Sequence, residues 1–79
     1  MEKIDRMVIV KNKDGDKIEV GLEITSLVES IGNVYRYRTI IMNAWNVTKK
    51  RKEINLPGEV VGETVESVIR KFKGAFSNI

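Results

Sequence analysis

Basic and aromatic side chains are concentrated in one segment of this 79-residue chain. No acidic residue lies between Ser30 and Glu53, but six cations and three aromatic rings do. The cations are Arg36, Arg38, Lys49, Lys50, Arg51 and Lys52, and the rings are Tyr35, Tyr37 and Trp45. Guanidinium and ammonium groups bind phosphates, and aromatic rings stack on bases. We therefore predict that these residues form a nucleic-acid-binding surface.

The segregation of charge is more informative than the net charge of +3. Residues 1–30 carry five basic and seven acidic side chains, and residues 53–79 carry three and four, so the cationic excess lies in the middle. The same pattern also fits a solvated hairpin tip or a surface that docks an acidic protein. Trp45 fits a core position as well as a stacking position.

The chain lacks the residues that most often perform catalysis or bind metals. It has no cysteine and no histidine, so disulfides and thiolate metal sites are excluded and its serines have no imidazole to activate them. Asp14 and Asp16 could chelate a cation, although such a pair is usually a solvated turn. These observations predict a protein that is not an enzyme, with no cofactor, no metal and no small-molecule substrate.

No apolar run approaches the roughly 18 residues that a membrane-spanning helix needs. The first residues also lack the uninterrupted apolar core of a signal peptide. We therefore predict no membrane association and a cytoplasmic location, in a cell or an infected host.

Two strands are predicted before the basic segment. Asp14 and Gly15 form a typical hairpin tip, and apolar and polar residues alternate strictly over residues 18–25. Gly21 interrupts the polar side of this strand and indicates a bulge or bend. A turn is predicted over residues 31–33.

The basic segment is predicted to contain a long strand and a loop. The strand covers residues 34–45, with Tyr35, Tyr37 and Trp45 on one face and Arg36 and Arg38 on the other. Residues 46–52 then form the basic loop, and residues 53–56 a brief fourth strand.

Helical spacing of apolar residues predicts one helix at about residues 60–76, capped by Glu63 or Thr64. The predicted fold is α+β, with a curved four-stranded antiparallel sheet followed by one C-terminal helix, in a single small domain over residues 1–79. The strands are expected within residues 5–56. One helix covers little sheet, so we predict a homodimer through its apolar stripe. The predicted interface residues are Val68, Ile69, Phe72 and Phe76.

The order of these parts resembles the single-stranded-DNA-binding domain of the positive cofactor four transcriptional coactivators. The resemblance covers residues 34–72 and is carried by Trp45 at the end of a central strand, the run Lys49–Lys52, and the segment Ile54-Asn55-Leu56 before the helix. Where this chain has Glu53, the family usually has a glycine. The resemblance implies a homodimer that binds single-stranded DNA with little sequence preference, in replication, recombination or transcription.

A different class of function is also compatible with the sequence. The segment from Leu56 to Glu66 resembles the sheet-to-helix junction of HicB-type antitoxins. The segregated charge equally fits a small regulator or inhibitor of the phage or mobile-element type that docks an acidic partner protein, and the HicB-like segment adds an antitoxin-like regulator as a third possibility.

Overall fold

The computed structural model describes residues 3–28 and 35–79, with side chains described except at residues 27, 28, 35 and 36. The described residues form five strands and one helix, which confirms the predicted α+β class. The elements are β1 (Lys3–Lys11), β2 (Lys17–Val28), β3 (Tyr35–Asn46), β4 (Arg51–Lys52), β5 (Val61–Gly62) and α1 (Val65–Ser77). The sheet is antiparallel in the order β1-β2-β3-β4, and β5 also pairs with β3. The turn predicted over residues 31–33 lies outside the described residues.

The hairpin between β1 and β2 turns at the predicted tip. The side-chain oxygen of Asn12 accepts hydrogen bonds from the amides of Asp14 (3.0 Å) and Asp16 (2.9 Å). Gly15 has a φ of 82°, a left-handed conformation that glycine adopts without steric cost. Alternation along the two strands then directs one set of apolar side chains toward α1. On β2 these buried residues are Ile18, Val20, Leu22 and Ile24.

A bulge interrupts the pairing of β2 with β3 at the predicted glycine. Gly21 pairs with Asn43, but the next residue of β2, Leu22, pairs with Ile41, so Met42 is the extra residue on β3. A Cβ at Gly21 would lie 2.9 Å from Oδ1 of Asn43, closer than a side chain tolerates. The glycine therefore allows Asn43 to lie against β2 where the register shifts.

The bulge corrects the predicted faces of β3. Tyr37 lies opposite Ser26 and Trp45 lies opposite Glu19, so these two aromatic residues are on opposite faces. The strict two-residue alternation that grouped them fails because Met42 adds one residue to the strand. Tyr37 is on the face toward α1, and Trp45 is on the other face, which we call the outer face.

The fourth strand is shorter and earlier than predicted. Pairing with β3 is confined to Arg51 and Lys52, instead of residues 53–56, and the Glu53 amide then donates to the Ala44 carbonyl (3.0 Å). The chain returns to the edge of β3 at β5, within the residues predicted to be helical. Two-residue strands give no periodic sequence signal, so neither boundary was visible in the sequence.

The helix begins later than predicted, at Val65 instead of about residue 60. Thr64 is its N-cap, as one of the two alternatives proposed, and its hydroxyl accepts a hydrogen bond from the Ser67 amide (3.0 Å). Among the described residues, no helix is long and apolar enough to cross a membrane.

The apolar stripe of α1 packs inside the chain, and this corrects the predicted dimer interface. Val68, Phe72 and Phe76 are fully buried, with the two rings edge to face at 5.5 Å, and Ile69 is half-buried against the same core. Burial of each large apolar side chain contributes about 1.5–3 kcal/mol, which would be lost if the stripe left the sheet. These side chains therefore belong to the core of one chain, and they offer no free surface to a second copy.

Gly62 provides a test of how closely β5 approaches α1. A Cβ there would lie 2.8 Å from Cγ2 of Val68 and 3.1 Å from its backbone nitrogen. We expect Gly62→Ala to lower the free energy of unfolding by about 1–3 kcal/mol. Gly58→Ala is the matched control, since a Cβ at Gly58 meets nothing within 4 Å. Urea unfolding of both variants checks this, and equal stability would contradict the described packing.

Candidate nucleic-acid interface

Two turns that are distant in sequence meet at one end of the sheet. The Lys17 amide donates to Oγ1 of Thr48 (2.9 Å), and the Val47 amide donates to the Lys17 carbonyl (2.8 Å). The tip of the first hairpin also contacts the residues that follow α1, because the Lys13 amide donates to the Ile79 carbonyl (3.1 Å). The β1–β2 tip and the basic β3–β4 turn therefore form one surface.

Asn46 joins these two turns from inside the molecule. Its side chain has no solvent exposure, and its Nδ2 donates to Oδ2 of Asp16 (3.1 Å) and to Oε2 of Glu53 (3.0 Å). Its Oδ1 accepts a hydrogen bond from the Lys49 amide (2.8 Å). Both amide protons and the carbonyl oxygen are thus used, which a buried amide requires.

The two carboxylates bound by Asn46 titrate below their ordinary range. The hydrogen bond from Asn46 is the main reason that the pKa of Asp16 lies below 3.8, and it outweighs the opposing effect of desolvation. Desolvation raises the pKa of Glu53, but hydrogen bonds from Asn46 and from the amides of Asn55 and Ile54 together bring it below 4.5. Both side chains are consequently charged at neutral pH.

The basic turn is only partly free to bind an anion. Nζ of Lys49 lies 3.3 Å from Oδ2 of Asp16, so this cation is already paired within the chain. Lys50, Arg51 and Lys52 are exposed. Lys50 has a φ of 53°, the left-handed conformation that closes the turn and brings the chain back to β3.

The structure adds three lysines to the predicted cations. Lys11 and Lys17 face each other across β1 and β2 at this end, and Lys13 lies in the hairpin tip. All three side chains are exposed. We call this surface the basic end, formed by Lys11, Lys13, Lys17, Lys49, Lys50, Arg51 and Lys52. The predicted order of the strands could have indicated these lysines, because consecutive antiparallel strands place every second turn at the same end of a sheet.

Trp45 lies at the edge of the basic end. Its side chain is 46 % exposed on the outer face, so it is not a core residue. Lys52 pairs with it directly from β4, and Glu19 pairs with it from β2. An exposed indole beside an exposed cation is the combination that a stacked base and its phosphate require.

The remaining predicted binding residues lie away from the basic end. Arg38 is seven positions before Trp45 on β3, roughly 20 Å along the strand, and its Nη1 is 4.0 Å from a carboxylate oxygen of Glu59. Tyr37 is half-buried on the other face of the sheet. Tyr35 and Arg36 begin β3, and their side chains lie outside the described residues. The nine predicted residues therefore do not form one continuous surface.

Glu53 has a structural role that the sequence did not indicate. It is buried between Asn46 and its own backbone, where Oε1 accepts hydrogen bonds from the amides of Ile54 (3.1 Å) and Asn55 (3.2 Å). Asp16 is likewise buried and bound by Asn12, Asn46 and Lys49, while Asp14 is exposed. Among the described residues, no three acidic side chains are placed to hold a metal ion.

Comparison of the chain with known proteins gives no match to a family model, to a curated protein or to a solved structure. The function must therefore be inferred from the surface itself.

The Asn46 cluster gives a prediction about pH. Carboxyl groups whose pKa is lowered by folding stabilise the protein above their ordinary pKa, and this contribution is lost as pH falls through the folded pKa. Because Asp16 and Glu53 are of this kind, we expect them to add no change in stability between about pH 7 and pH 5, and a loss below about pH 4.

Asn46→Asp should introduce a pH dependence of stability above pH 5. The new carboxyl would face two carboxylates, so folding would raise its pKa, and stability would then decrease as pH rises from about 5 to about 7. Asn43→Asp, an identical change at an exposed position, should not show this decrease. Thermal unfolding at the two pH values measures the effect, and equal melting temperatures for Asn46→Asp would contradict the described cluster.

Proposed function

We propose that this protein binds single-stranded nucleic acid, most favourably DNA, through the basic end, without catalysing a reaction. The observation that carries this proposal is Trp45, exposed on the outer face with Lys52 directly opposite it. At 46 % exposure the indole keeps apolar area in contact with water, and a stacked base would cover that area.

The chemistry of the surface favours a single strand over a duplex. A stacked base contributes about 1–3 kcal/mol, and it must be unpaired for its face to reach the indole. The basic end would bind the phosphates on either side, and such contacts do not depend on base identity. Seven cations against the three carboxylates Asp14, Asp16 and Glu53 give this end a net positive charge.

The position of Glu19 restricts the path of the strand. This carboxylate pairs with Trp45 from β2, on the side opposite Lys52, and it is half-buried. A phosphate above β2 would be repelled, whereas a phosphate above β4 would be attracted. The strand is therefore expected to cross Trp45 from the β4 side and to continue over the basic turn.

Removal of the free cations of the turn tests the proposal. The combined variant Lys50→Asn, Arg51→Ser and Lys52→Ser keeps a residue suited to positive φ at position 50. In fluorescence anisotropy we expect it to bind a labelled single strand more weakly. The slope of log K against log salt concentration should become shallower by about 2. The matched control removes the exposed cations Arg70, Lys71 and Lys73 from α1, with the same change in net charge. If both variants lose affinity equally, only net charge matters and the proposed surface is wrong.

Trp45 should be tested separately, because stacking does not depend on salt. We expect Trp45→Ala to weaken binding by about 1–3 kcal/mol at every salt concentration, whereas Trp45→Phe should retain most of the affinity. Trp45 is the only tryptophan of the chain, so quenching of its fluorescence on addition of oligonucleotide reports stacking directly. Unchanged fluorescence at saturation would exclude a stacked base.

Glu19→Gln tests the path of the strand. Removal of this negative charge beside Trp45 should strengthen binding of single-stranded DNA by about twofold to fivefold at low salt. Glu66→Gln, at an exposed position in the first turn of α1, is the control and should have no such effect. A decrease in affinity for Glu19→Gln would show that the carboxylate contacts the ligand favourably.

A second candidate function is the docking of an acidic protein on the same surface. The observation that favours it is the presence of further exposed apolar side chains on this side of the sheet, namely Met7 (67 %), Ile9 (54 %) and Met42 (61 %). Apolar anchors surrounded by charge are typical of protein interfaces. Such a protein would not bind oligonucleotides at physiological salt, so the anisotropy titration distinguishes the two functions.

A further inference from the structure

The strand β1 leaves one edge of the sheet open. Among the described residues β1 pairs only with β2, over all nine of its positions. In the adjoining turn the Asn12 amide donates to the Asp16 carbonyl, so the backbone of Asn12 points toward β2. The N–H and C=O groups of successive residues alternate in direction along a strand, so those of the other even-numbered residues of β1 also point toward β2. Those of the odd-numbered residues, from Lys3 to Lys11, face the open edge. Such an edge readily accepts another strand.

Two pairs of like charges mark this edge. Asp5 lies opposite Glu23, and Lys11 lies opposite Lys17, and like charges in direct opposition destabilise a sheet. Lys3 reaches Glu23 at 4.0 Å, but within residues 3–28 and 35–79 neither Asp5 nor Lys11 has an ion-pair partner. The open edge therefore carries an unpaired negative charge near one end and an unpaired positive charge at the other.

We propose that two copies of this chain pair through β1, antiparallel and centred on Val8. In this register Asp5 faces the partner's Lys11 and Lys11 faces the partner's Asp5, so both unpaired charges are neutralised. Met7 faces the partner's Ile9, which covers two apolar side chains that are now 67 % and 54 % exposed. The residues that face each other are all odd-numbered, so their backbone groups are the ones available for hydrogen bonds.

Neighbouring registers are less favourable. Centring the pair on Met7 places Lys3 opposite the partner's Lys11, and centring it on Arg6 or Asp5 places that charge opposite its own copy. Centring it on Ile9 leaves Asp5 without a partner in β1. Charge and apolar complementarity thus select one register. The proposal does not depend on nucleic-acid binding, because it uses the opposite edge of the sheet from β4.

A charge exchange tests the dimer by sedimentation equilibrium from micromolar to submillimolar concentration. The variants Asp5→Lys and Lys11→Asp each create two repulsive pairs and should dissociate about tenfold more readily. The double variant Asp5→Lys with Lys11→Asp restores opposite charges and should restore the dimer. Within one chain, each single change places opposite charges across β1 and β2, so neither variant should lose its fold. Circular dichroism checks that a monomeric variant is still folded. A monomeric native protein, or a dimer insensitive to either single change, would overturn the proposal.

Cysteine cross-linking tests the register. The chain has no cysteine, and Val8 would lie directly opposite its own copy, at a separation that a disulfide can bridge. Val8→Cys should therefore form a covalent dimer under mild oxidation. Ile9→Cys is the control, because its copy would be roughly 8–9 Å away. Faster cross-linking of Ile9→Cys than of Val8→Cys would overturn the proposed register.

Discussion

The amide of Asn46 holds together the end of the molecule on which the proposed binding surface depends. Two carboxylates, Asp16 and Glu53, lie against it with little solvent, and each receives one of its two amide protons. A cation in this position would leave nothing to accept the Lys49 amide, and an acid would repel both carboxylates. A neutral side chain with two donors and one acceptor satisfies all three groups. The hairpin tip and the basic turn are thereby joined, and the ion pair between Lys49 and Asp16 is a second link between them.

The bulge at Met42 makes this position of Asn46 compatible with the rest of β3. Thr39 and Ile41 face α1 in the first half of the strand, and Ala44 and Asn46 face it in the second half. Strict alternation cannot place both odd and even residues on one face, so an extra residue is required between them. The same shift places Trp45 on the outer face. Exposure of the indole therefore follows from burial of the neighbouring amide, through the geometry of a single strand.

Features that depend on local sequence were predictable, and features that depend on distant contacts were not. The alternation of β2, the Asp14-Gly15 tip and the Thr64 cap each follow from a few neighbouring residues, and the structure confirms them. Gly21 indicated the bulge, but the extra residue lies on the partner strand, where nothing in the sequence marks it. Lys17 joins the basic end through contacts about thirty residues away in sequence. No rule based on residue spacing would assign Lys17 to the basic end.

The two proposed surfaces constrain each other through their geometry. Antiparallel pairing through β1 about Val8 would place Lys11 of each copy beside the partner's Asp5. The two basic ends would therefore point in opposite directions. Each basic end would keep β4 and Trp45 at the far edge of the extended sheet. One strand of nucleic acid would therefore contact one basic end at a time unless it crossed the whole sheet. That crossing would pass Glu19 and Glu23 on β2, two half-buried carboxylates that would repel phosphates. A dimer of this form would bind two separate segments rather than one continuous strand.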